Sequence, residues 1–293
     1  MAQAVFGIIG GSGIYHLPGL QKVSVRKVAS PFGEPSGDLT FGEIDGKPIV
    51  FLPRHGKGHH LSPSGIPYRA NIDAMKRAGV TDLIAVSACG SFRSELYPGM
   101  FVLVDQFFDR TQGRENSFFG NGCVAHVSMA HPVSPLLQAR IGAAAQAENI
   151  ICVSGGTYFC MEGPQFSTYA ESMFYKAQGF DVIGMTALTE ARLAREAEIS
   201  YAAIAMVTDF DCWHPQHDHV DVESVIRVVN ENSGKATRLL ARVIADHPGV
   251  HEPCPIGSDR ALDGAIVTAI AMRDPELMHK LSAITSRVLG TAL

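Results

Sequence analysis

The apolar run from Tyr201 to Val207 constrains the fold more than any other stretch of the chain. An unbroken run of this length is typical of a β-strand that is buried on both faces, as in sheets covered by helices on each side. The run leads directly into Asp209 and Asp211. In open α/β sheets ligands bind beyond the carboxyl ends of strands, so these two carboxylates stand where a site is expected. Asp is also common in loops after strands, so the pair alone leaves a purely structural interpretation open.

Similar short apolar runs alternate with segments of helical spacing along the chain. Strands are predicted at residues 4–9, 47–53, 82–86, 100–104, 181–185 and 201–207, and helices at 68–78, 135–148, 168–178, 190–196 and 221–245. Thr189 is predicted to cap the helix that begins at Glu190. The alternation predicts a single α/β domain over residues 1–250, a mixed twisted sheet flanked by helices.

The chain beyond this domain has a different character. Pro and Gly residues between 247 and 259 predict a linker. Residues 251–293 are predicted to form a C-terminal helical extension, with helices near 260–272 and 274–289.

Composition excludes several classes of protein. The net charge of −5 argues against nucleic-acid binding, which needs a basic face. The apolar runs are too short to cross a membrane, and the first residues do not resemble a signal peptide. The six cysteines show no CxxC spacing, which favours reduced thiols in a cytoplasmic protein without a cysteine metal site.

Three predicted strands are followed by residues that suit an anion. Gly10-Gly11-Ser12-Gly13 follows the first, Arg54 and His55 follow the second, and Ser87 and Ala88 follow the third. Glycines let backbone N–H groups approach a phosphate, and the guanidinium fork matches its oxygens. Neither the dinucleotide fingerprint nor the P-loop spacing is present, so a single phosphate is expected. The three ends meet at one anion if their strands are neighbours in the sheet.

Other candidates allow two interpretations each. The histidines at 55, 59 and 60 and the segment His214 to His219 could be metal ligands, but no Cys or carboxylate stands at ligand spacing beside the first group. An exposed loop is favoured for His59, His60 and the second segment, and an anion site for His55. Phe166 could stack on a planar ligand or simply pack. Val222 and Val225 could line a pocket beside the Asp pair or belong to the core.

Several motifs, in this order along the chain, resemble those of the trimeric purine nucleoside phosphorylase family. They are Gly7 to Gly13, Pro53 to Gly56, Ser87 to Ser91, Asp105 to Thr111, Glu162 to Ser167, Met185-Thr186 with Leu193 to Ala197, and Thr208 to Trp213. Together they span residues 7 to about 245. Within the family the chain looks most like the members that act on 5′-methylthioadenosine.

The resemblance implies a reaction in which inorganic phosphate, as co-substrate, attacks C1′ of a nucleoside and releases adenine and a 1-phosphosugar. The residues implied to bind phosphate are Ser12, Arg54, His55, Ser87, Ala88 and Thr186. Met185 would contact the ribose, and Phe166 and Ser167 would lie by the base. No metal and no organic cofactor is implied.

The resemblance also implies a homotrimer in which His126 reaches the site of a neighbouring subunit. Val222 and Val225 would line the pocket for the 5′-methylthio group, which wants apolar surroundings where a hydroxyl wants polar ones.

The chemistry assigns Asp209 as the acid that protonates N7 of adenine, and Asp211 as a partner of the adenine edge or a support for Asp209. Two close carboxylates in a dry site tend to share one proton. An enzyme for 6-oxopurines would prefer Asn at the first position, because an amide can donate to both O6 and N7.

The chain departs from the family pattern at a few positions. Ser12 stands where eukaryotic-like members tend to have Thr, Gly184 replaces an Asn, and Thr189-Glu190 replaces Pro-Glu. Three alternatives stay open. One is a phosphorylase for adenosine, 6-oxopurine nucleosides or methylthioinosine, another is a hydrolase that uses water, and the last is a nucleoside-binding protein without catalysis.

Overall fold

The computed structural model describes residues 2–11, 17–215 and 220–290. Within these ranges one mixed sheet contains β1 (Phe6–Gly10), β2 (Gln21–Arg26), β3 (Leu39–Ile44), β4 (Lys47–Pro53), β5 (Asp82–Ser91), β6 (Phe101–Val104), β7 (Gln106–Arg110), β8 (Cys152–Ser154), β9 (Thr157–Met161), β10 (Val182–Gly184) and β11 (Ser200–Asp209). The helices are α1 (Tyr68–Arg77), α2 (Pro135–Ala147), α3 (Tyr169–Ala177), α4 (Ala187–Glu196), α5 (Val222–Asp246), α6 (Pro275–Lys280) and α7 (Ser286–Leu289).

The strand order brings the predicted strand ends together. The main path is β2-β3-β4-β1-β5-β10-β9-β7, and β11 pairs with β5 and β6 while β8 pairs with β6. Strand β1 runs parallel to both β4 and β5, and β11 runs parallel to β5. The carboxyl ends of these four strands therefore lie at one edge of the sheet. Parallel and antiparallel pairs occur together, which confirms the predicted mixed α/β sheet.

Strand β11 shows why its sequence is continuously apolar. Tyr201, Ala203, Ala205 and Val207 face a core cluster that includes residues of α1 and α4. Ala202, Ile204 and Met206 face a second cluster, which includes residues of α2 and α5. Because successive side chains of a strand point to opposite faces, burial on both faces leaves no position for a polar residue. Helices cover both faces of this central strand.

Some local predictions were wrong or incomplete. No strand was predicted between residues 31 and 46, where β3 lies. None was predicted in the region of β7 either. Strand β5 continues to Ser91, so Ser87 and Ala88 lie inside the strand and not after it. Helix α4 begins at Ala187, so Thr189 is buried in its first turn and does not cap it.

The C-terminal segment is less helical than predicted. Between 251 and 290 it contains α6, α7 and two single turns of 3-10 helix at 258–260 and 270–272. Leu262, Leu281 and Ile284 are buried in the cluster that also contains side chains of α1 and α4. The carboxylate of Glu198 accepts hydrogen bonds from the backbone N–H of Leu262 at 2.8 Å and from Arg287 Nε at 2.7 Å. The segment is thus anchored to the sheet, and a domain boundary near residue 250 stays a prediction.

Among the described helices, none combines the length and the apolar character needed to cross a membrane.

Candidate active site

A cavity of about 600 Å³ opens at the edge where the parallel strands end. Most of the predicted site residues line it: Arg54, His55, Phe166, Ser87, Ala88, Met185, Thr186, Asp209, Asp211, Val222 and Val225. They come from β5, from the carboxyl ends of β4, β10 and β11 with the residues that follow, from the loop before α3 and from the starts of α4 and α5, segments far apart in sequence. The sheet brings the anion-suited residues and the carboxylate pair to one cavity.

Two predicted residues, Ser167 and His126, are not among those that line the cavity. The predicted Ser12 lies outside the described residues, although Gly11, directly after β1, lines the cavity. Ser167 lies behind the wall, where its carbonyl accepts from Cys212 Sγ at 3.4 Å. His126 is exposed and pairs through its backbone N–H with the carbonyl of Ala265 at 2.9 Å.

Arg54 is buried, with 1% of its surface exposed, and an ion pair with Glu190 fixes its direction. Its Nε and Nη2 donate to the two carboxylate oxygens of Glu190 at 2.5 and 3.0 Å. Nη1 donates to the Val86 carbonyl at 2.8 Å, and Nη2 also reaches the carbonyl of Ile9 at 3.3 Å. Burial alone would disfavour the charge, but Glu190 outweighs it and the pKa of Arg54 lies above its usual value. Of the five guanidinium N–H donors, four are used by these partners, and the remaining one has no partner among the described residues and can serve a ligand.

Glu190 is a functional candidate that the sequence reasoning did not identify. It appeared only as a good helix former, yet its side chain is 2% exposed. A signal existed, because an arginine at the end of a buried strand needs a carboxylate partner. Nothing in the sequence indicates which acidic residue supplies it.

His55 is held as a neutral imidazole. Its Nδ1 lies 2.9 Å from the carbonyl of Leu61, and its ring stacks on His59 with centroids 4.0 Å apart. Burial, with the nearby charge of Arg54, lowers the pKa of His55 to about 4. Because a carbonyl only accepts, the proton lies on Nδ1 and Nε2 is left as an acceptor.

Thr186 stands at the N-terminus of α4. It is buried, and its side chain makes no capping bond to its own helix. Backbone N–H groups at a helix start favour a negative ligand. This end of α4 therefore adds an anion-suited group to the side of the cavity that carries Arg54, His55 and Ser87.

The carboxylate pair lies at the end of β11. Asp209 Oδ2 accepts from Thr208 Oγ1 at 2.7 Å, and Oδ1 accepts from the backbone N–H of Asp211 at 2.8 Å. Burial, with a smaller effect of the Asp211 charge, raises the pKa of Asp209 to about 6. Burial also raises the pKa of Asp211, against the opposing effect of the Ser172 and Ser167 hydroxyls. The pair can therefore hold a proton near neutral pH.

The carboxylate of Asp211 lies beside the hydroxyls of Ser172 and Ser167, and the residue lines the cavity. Gly90 makes room for the chain at Asp209 and Asp211, since a Cβ there would lie 2.8 Å from Asp209 Oδ1 and 3.2 Å from the backbone nitrogen of Asp211. A carboxylate on a cavity wall suits a ligand that brings an N–H donor.

The opposite end of the cavity is apolar. Val222, Val225, Ile226 and Val229 come from consecutive turns on one face of α5. The carboxylate of Asp221 caps this helix by accepting from the backbone N–H of Ser224 at 2.8 Å. Ile226 and Val229 were predicted only as part of an apolar helix face, because spacing does not distinguish a pocket wall from a core.

The described residues contain no cluster of three or more His, Cys, Asp or Glu side chains that could hold a metal ion. Residues 216–219, part of the considered histidine segment, lie outside that description.

The fold and this cavity define a class of protein. The chain belongs to the phosphorylase superfamily, whose family model matches residues 5–245. This confirms the resemblance found in the sequence motifs.

Similar curated proteins carry a more particular name. The chain is 67% identical, over 99% of both sequences, to the S-methyl-5′-thioadenosine phosphorylase of Bradyrhizobium diazoefficiens. It is 55% identical to the S-methyl-5′-thioadenosine phosphorylase of Cereibacter sphaeroides, covering 98% of this chain and 99% of the other.

Solved structures agree. A methylthioadenosine phosphorylase from an Antarctic soil metagenomic library superposes with a TM-score of 0.90 at 42% identity, covering 97% of this chain and 99% of the other. The methylthioadenosine phosphorylase of Schistosoma mansoni in complex with adenine gives a TM-score of 0.80 at 40% identity, over 83% and 91% of the two chains.

Proposed function

We propose that the protein is a pentosyltransferase that converts S-methyl-5′-thioadenosine and phosphate into adenine and 5-methylthioribose 1-phosphate. One observation carries the proposal: a single cavity is lined both by Arg54, His55 and Thr186 and by the Asp209–Asp211 pair. An anion and a proton source facing one substrate are what phosphorolysis of a nucleoside requires. The names of the similar proteins support the same substrate.

In the proposed reaction a phosphate oxygen forms a bond to C1′ while the bond from C1′ to N9 breaks. The electron pair of that bond moves into the purine, and the ribosyl group passes through an oxocarbenium-like state that the phosphate charge stabilises. Asp209 gives its proton to N7, so adenine leaves neutral. Nε2 of His55 is an acceptor and suits the protonated oxygen of monohydrogen phosphate. Asp211, which also lines the cavity, is proposed to accept from the 6-amino group.

The direct test is an assay of adenine release from S-methyl-5′-thioadenosine with and without phosphate. We expect turnover only with phosphate, and the sugar 1-phosphate as the second product. Adenine release without phosphate would instead indicate a hydrolase, and no release under either condition would indicate a binding protein. Running inosine and methylthioinosine in parallel distinguishes an enzyme for 6-oxopurines. No metal or organic cofactor is proposed, so EDTA is expected to leave the rate unchanged.

The apolar wall predicts selectivity at the 5′ position. Because Val222 and Val225 offer no partner to a hydroxyl, kcat/KM for S-methyl-5′-thioadenosine should exceed that for adenosine by roughly 10- to 200-fold. Val225→Ser should reduce this ratio, whereas Val228→Ser, on the same helix but off the cavity wall, should not. Steady-state kinetics with both nucleosides measures the effect. Equal kcat/KM values for the two nucleosides in the unchanged enzyme would refute the assignment of this wall.

We also propose a homotrimer that works in the cytoplasm. An exposed apolar patch near the cavity supports assembly: Phe166, Tyr169, Met173 and Phe174 are 40%, 63%, 41% and 61% exposed. His126, exposed and away from this chain's cavity, is proposed to complete a neighbouring site. Sedimentation should give the mass of three 31.4 kDa chains. A fully active monomer would exclude the trimer and the role of His126 together.

A further inference from the structure

Behind the phosphate side of the cavity lies a buried tyrosine that the mechanism above does not use. Tyr158, on β9, is 0% exposed, and its hydroxyl forms no regular hydrogen bond with the described residues. A buried hydroxyl without a partner is costly and is rare in proteins. Its position therefore calls for a reason other than packing.

The polar groups beside this hydroxyl belong to the proposed phosphate site. They are the side chain of Ser87 and the backbone of Thr186. Both residues line the cavity, and they come from separate elements, β5 and the start of α4. The Tyr158 hydroxyl thus lies next to both of these parts of the site.

Gly184 makes this position possible. A Cβ at residue 184 would lie 1.9 Å from Tyr158 Oη and 2.6 Å from its Cζ, so any side chain there would have to displace the ring. Gly184 itself lines the cavity, immediately before Met185 and Thr186. Residue 184, one of the positions where the chain departs from the family pattern, is glycine because the Tyr158 hydroxyl fills the space that a side chain there would occupy.

We propose that Tyr158 is a positioning residue for phosphate, acting through Ser87 and through the N–H of Thr186. Its O–H donates to Ser87 Oγ, which leaves the serine proton free to donate to a phosphate oxygen, and its oxygen accepts from the Thr186 N–H. No bond is broken in this arrangement, and the hydroxyl gains partners when phosphate orders Ser87. The proposal rests on the phosphorolysis proposed above.

The test is Tyr158→Phe, assayed after phosphate-dependent turnover has been established for the unchanged enzyme. We expect KM for phosphate to rise roughly 3- to 10-fold, since the hydrogen bonds to Ser87 and from the Thr186 N–H are lost, while KM for S-methyl-5′-thioadenosine stays within about 2-fold. In a Ser87→Ala background the same change should have a smaller effect, because the hydrogen bond to Ser87 is already absent. Tyr175→Phe, a buried tyrosine off the cavity wall, is the matched control.

The outcomes are distinct. An unchanged phosphate KM in Tyr158→Phe, or an equal rise of both KM values, would overturn the positioning role and leave phosphorolysis intact. Absence of phosphate dependence in the unchanged enzyme would overturn the proposed function first. If Tyr158→Phe does not fold, Gly184→Ala is the second test of the positioning role. Its Cβ must displace the Tyr158 hydroxyl, so KM for phosphate should rise. A normal phosphate KM in Gly184→Ala would contradict the proposal.

Discussion

Replacing Asp209 with Asn is expected to lower kcat/KM for S-methyl-5′-thioadenosine by roughly 10²- to 10⁴-fold, the usual range for loss of a general acid. The amide has the same shape, so its oxygen can still accept from the backbone N–H of Asp211, while its NH₂ group can donate to Thr208 Oγ1, whose own proton can go to the Cys89 carbonyl. It cannot transfer a proton to N7. The loss should therefore appear in the chemical step and not in folding.

The same substitution is expected to raise activity on inosine-type nucleosides. An amide N–H₂ can donate to both O6 and N7 of a 6-oxopurine, whereas an ionised carboxylate would repel O6. The measurement is kcat/KM for S-methyl-5′-thioadenosine, adenosine, inosine and methylthioinosine in Asp209→Asn. Asp246→Asn, at the exposed far end of α5, is the control. Unchanged preference for adenine nucleosides in Asp209→Asn would show that Asp209 is not the acid.

A role for Asp209 as acid also depends on its protonation. With a pKa of about 6, raised by burial, only about a tenth of unliganded enzyme carries this proton at pH 7. A bound purine removes more water from the carboxyl group and shifts the pKa further upward. Substrate binding and uptake of the proton are therefore linked, which an ionised and exposed carboxylate would not achieve.

The sequence predicted the elements whose signal is local. Strand β11 is recognisable because both of its faces are buried, so every residue from Tyr201 to Val207 is apolar. The residues after β4 and at the end of β11 were expected at one edge, and parallel pairing of β4, β1 and β5 brings them there. A parallel strand that is buried on both faces can be recognised from its composition, because nearly all of its residues are apolar.

The elements that were missed have weak local signals. Strand β2 is exposed along nearly its whole length, so it lacks the apolar pattern by which strands are recognised. The start of α4 was misplaced because Thr189 is a good capping residue by type, while the buried helix begins at Ala187, three residues before the predicted start at Glu190. The degree of burial of β2 and of the start of α4 is set by other parts of the fold, which the local sequence does not show.

Pairings across the fold leave no trace in a single sequence. Arg54 and Glu190 are 136 positions apart, and Tyr158 meets Gly184 only because β9 and β10 are neighbours. Each residue alone has an ordinary explanation, as a basic loop, a helix former, a strand aromatic and a strand end. The roles of these residues can be inferred only once the order of the strands in the sheet is known.

The Arg54–Glu190 pair leads to the second large effect. Glu190→Leu should lower the free energy of unfolding by roughly 3–5 kcal/mol, because it leaves the Arg54 charge buried without compensation. Arg54→Met should cost a similar amount by leaving the carboxylate alone. Urea denaturation monitored by circular dichroism measures both. Arg242→Met, which breaks an exposed pair with Asp246, is the control and should leave the free energy of unfolding nearly unchanged.

Combining Arg54→Met with Glu190→Leu separates the structural from the functional role of the pair. Two apolar side chains of similar volume leave no buried charge, so most of the lost stability should return. Phosphate binding should not return, because the cation that faces the anion has been removed, and KM for phosphate should stay high in a well-folded enzyme. If the double variant regained phosphate affinity along with stability, Arg54 would be a structural residue only. If both single variants stayed within about 1 kcal/mol of the unchanged protein, the pair would not be buried as described.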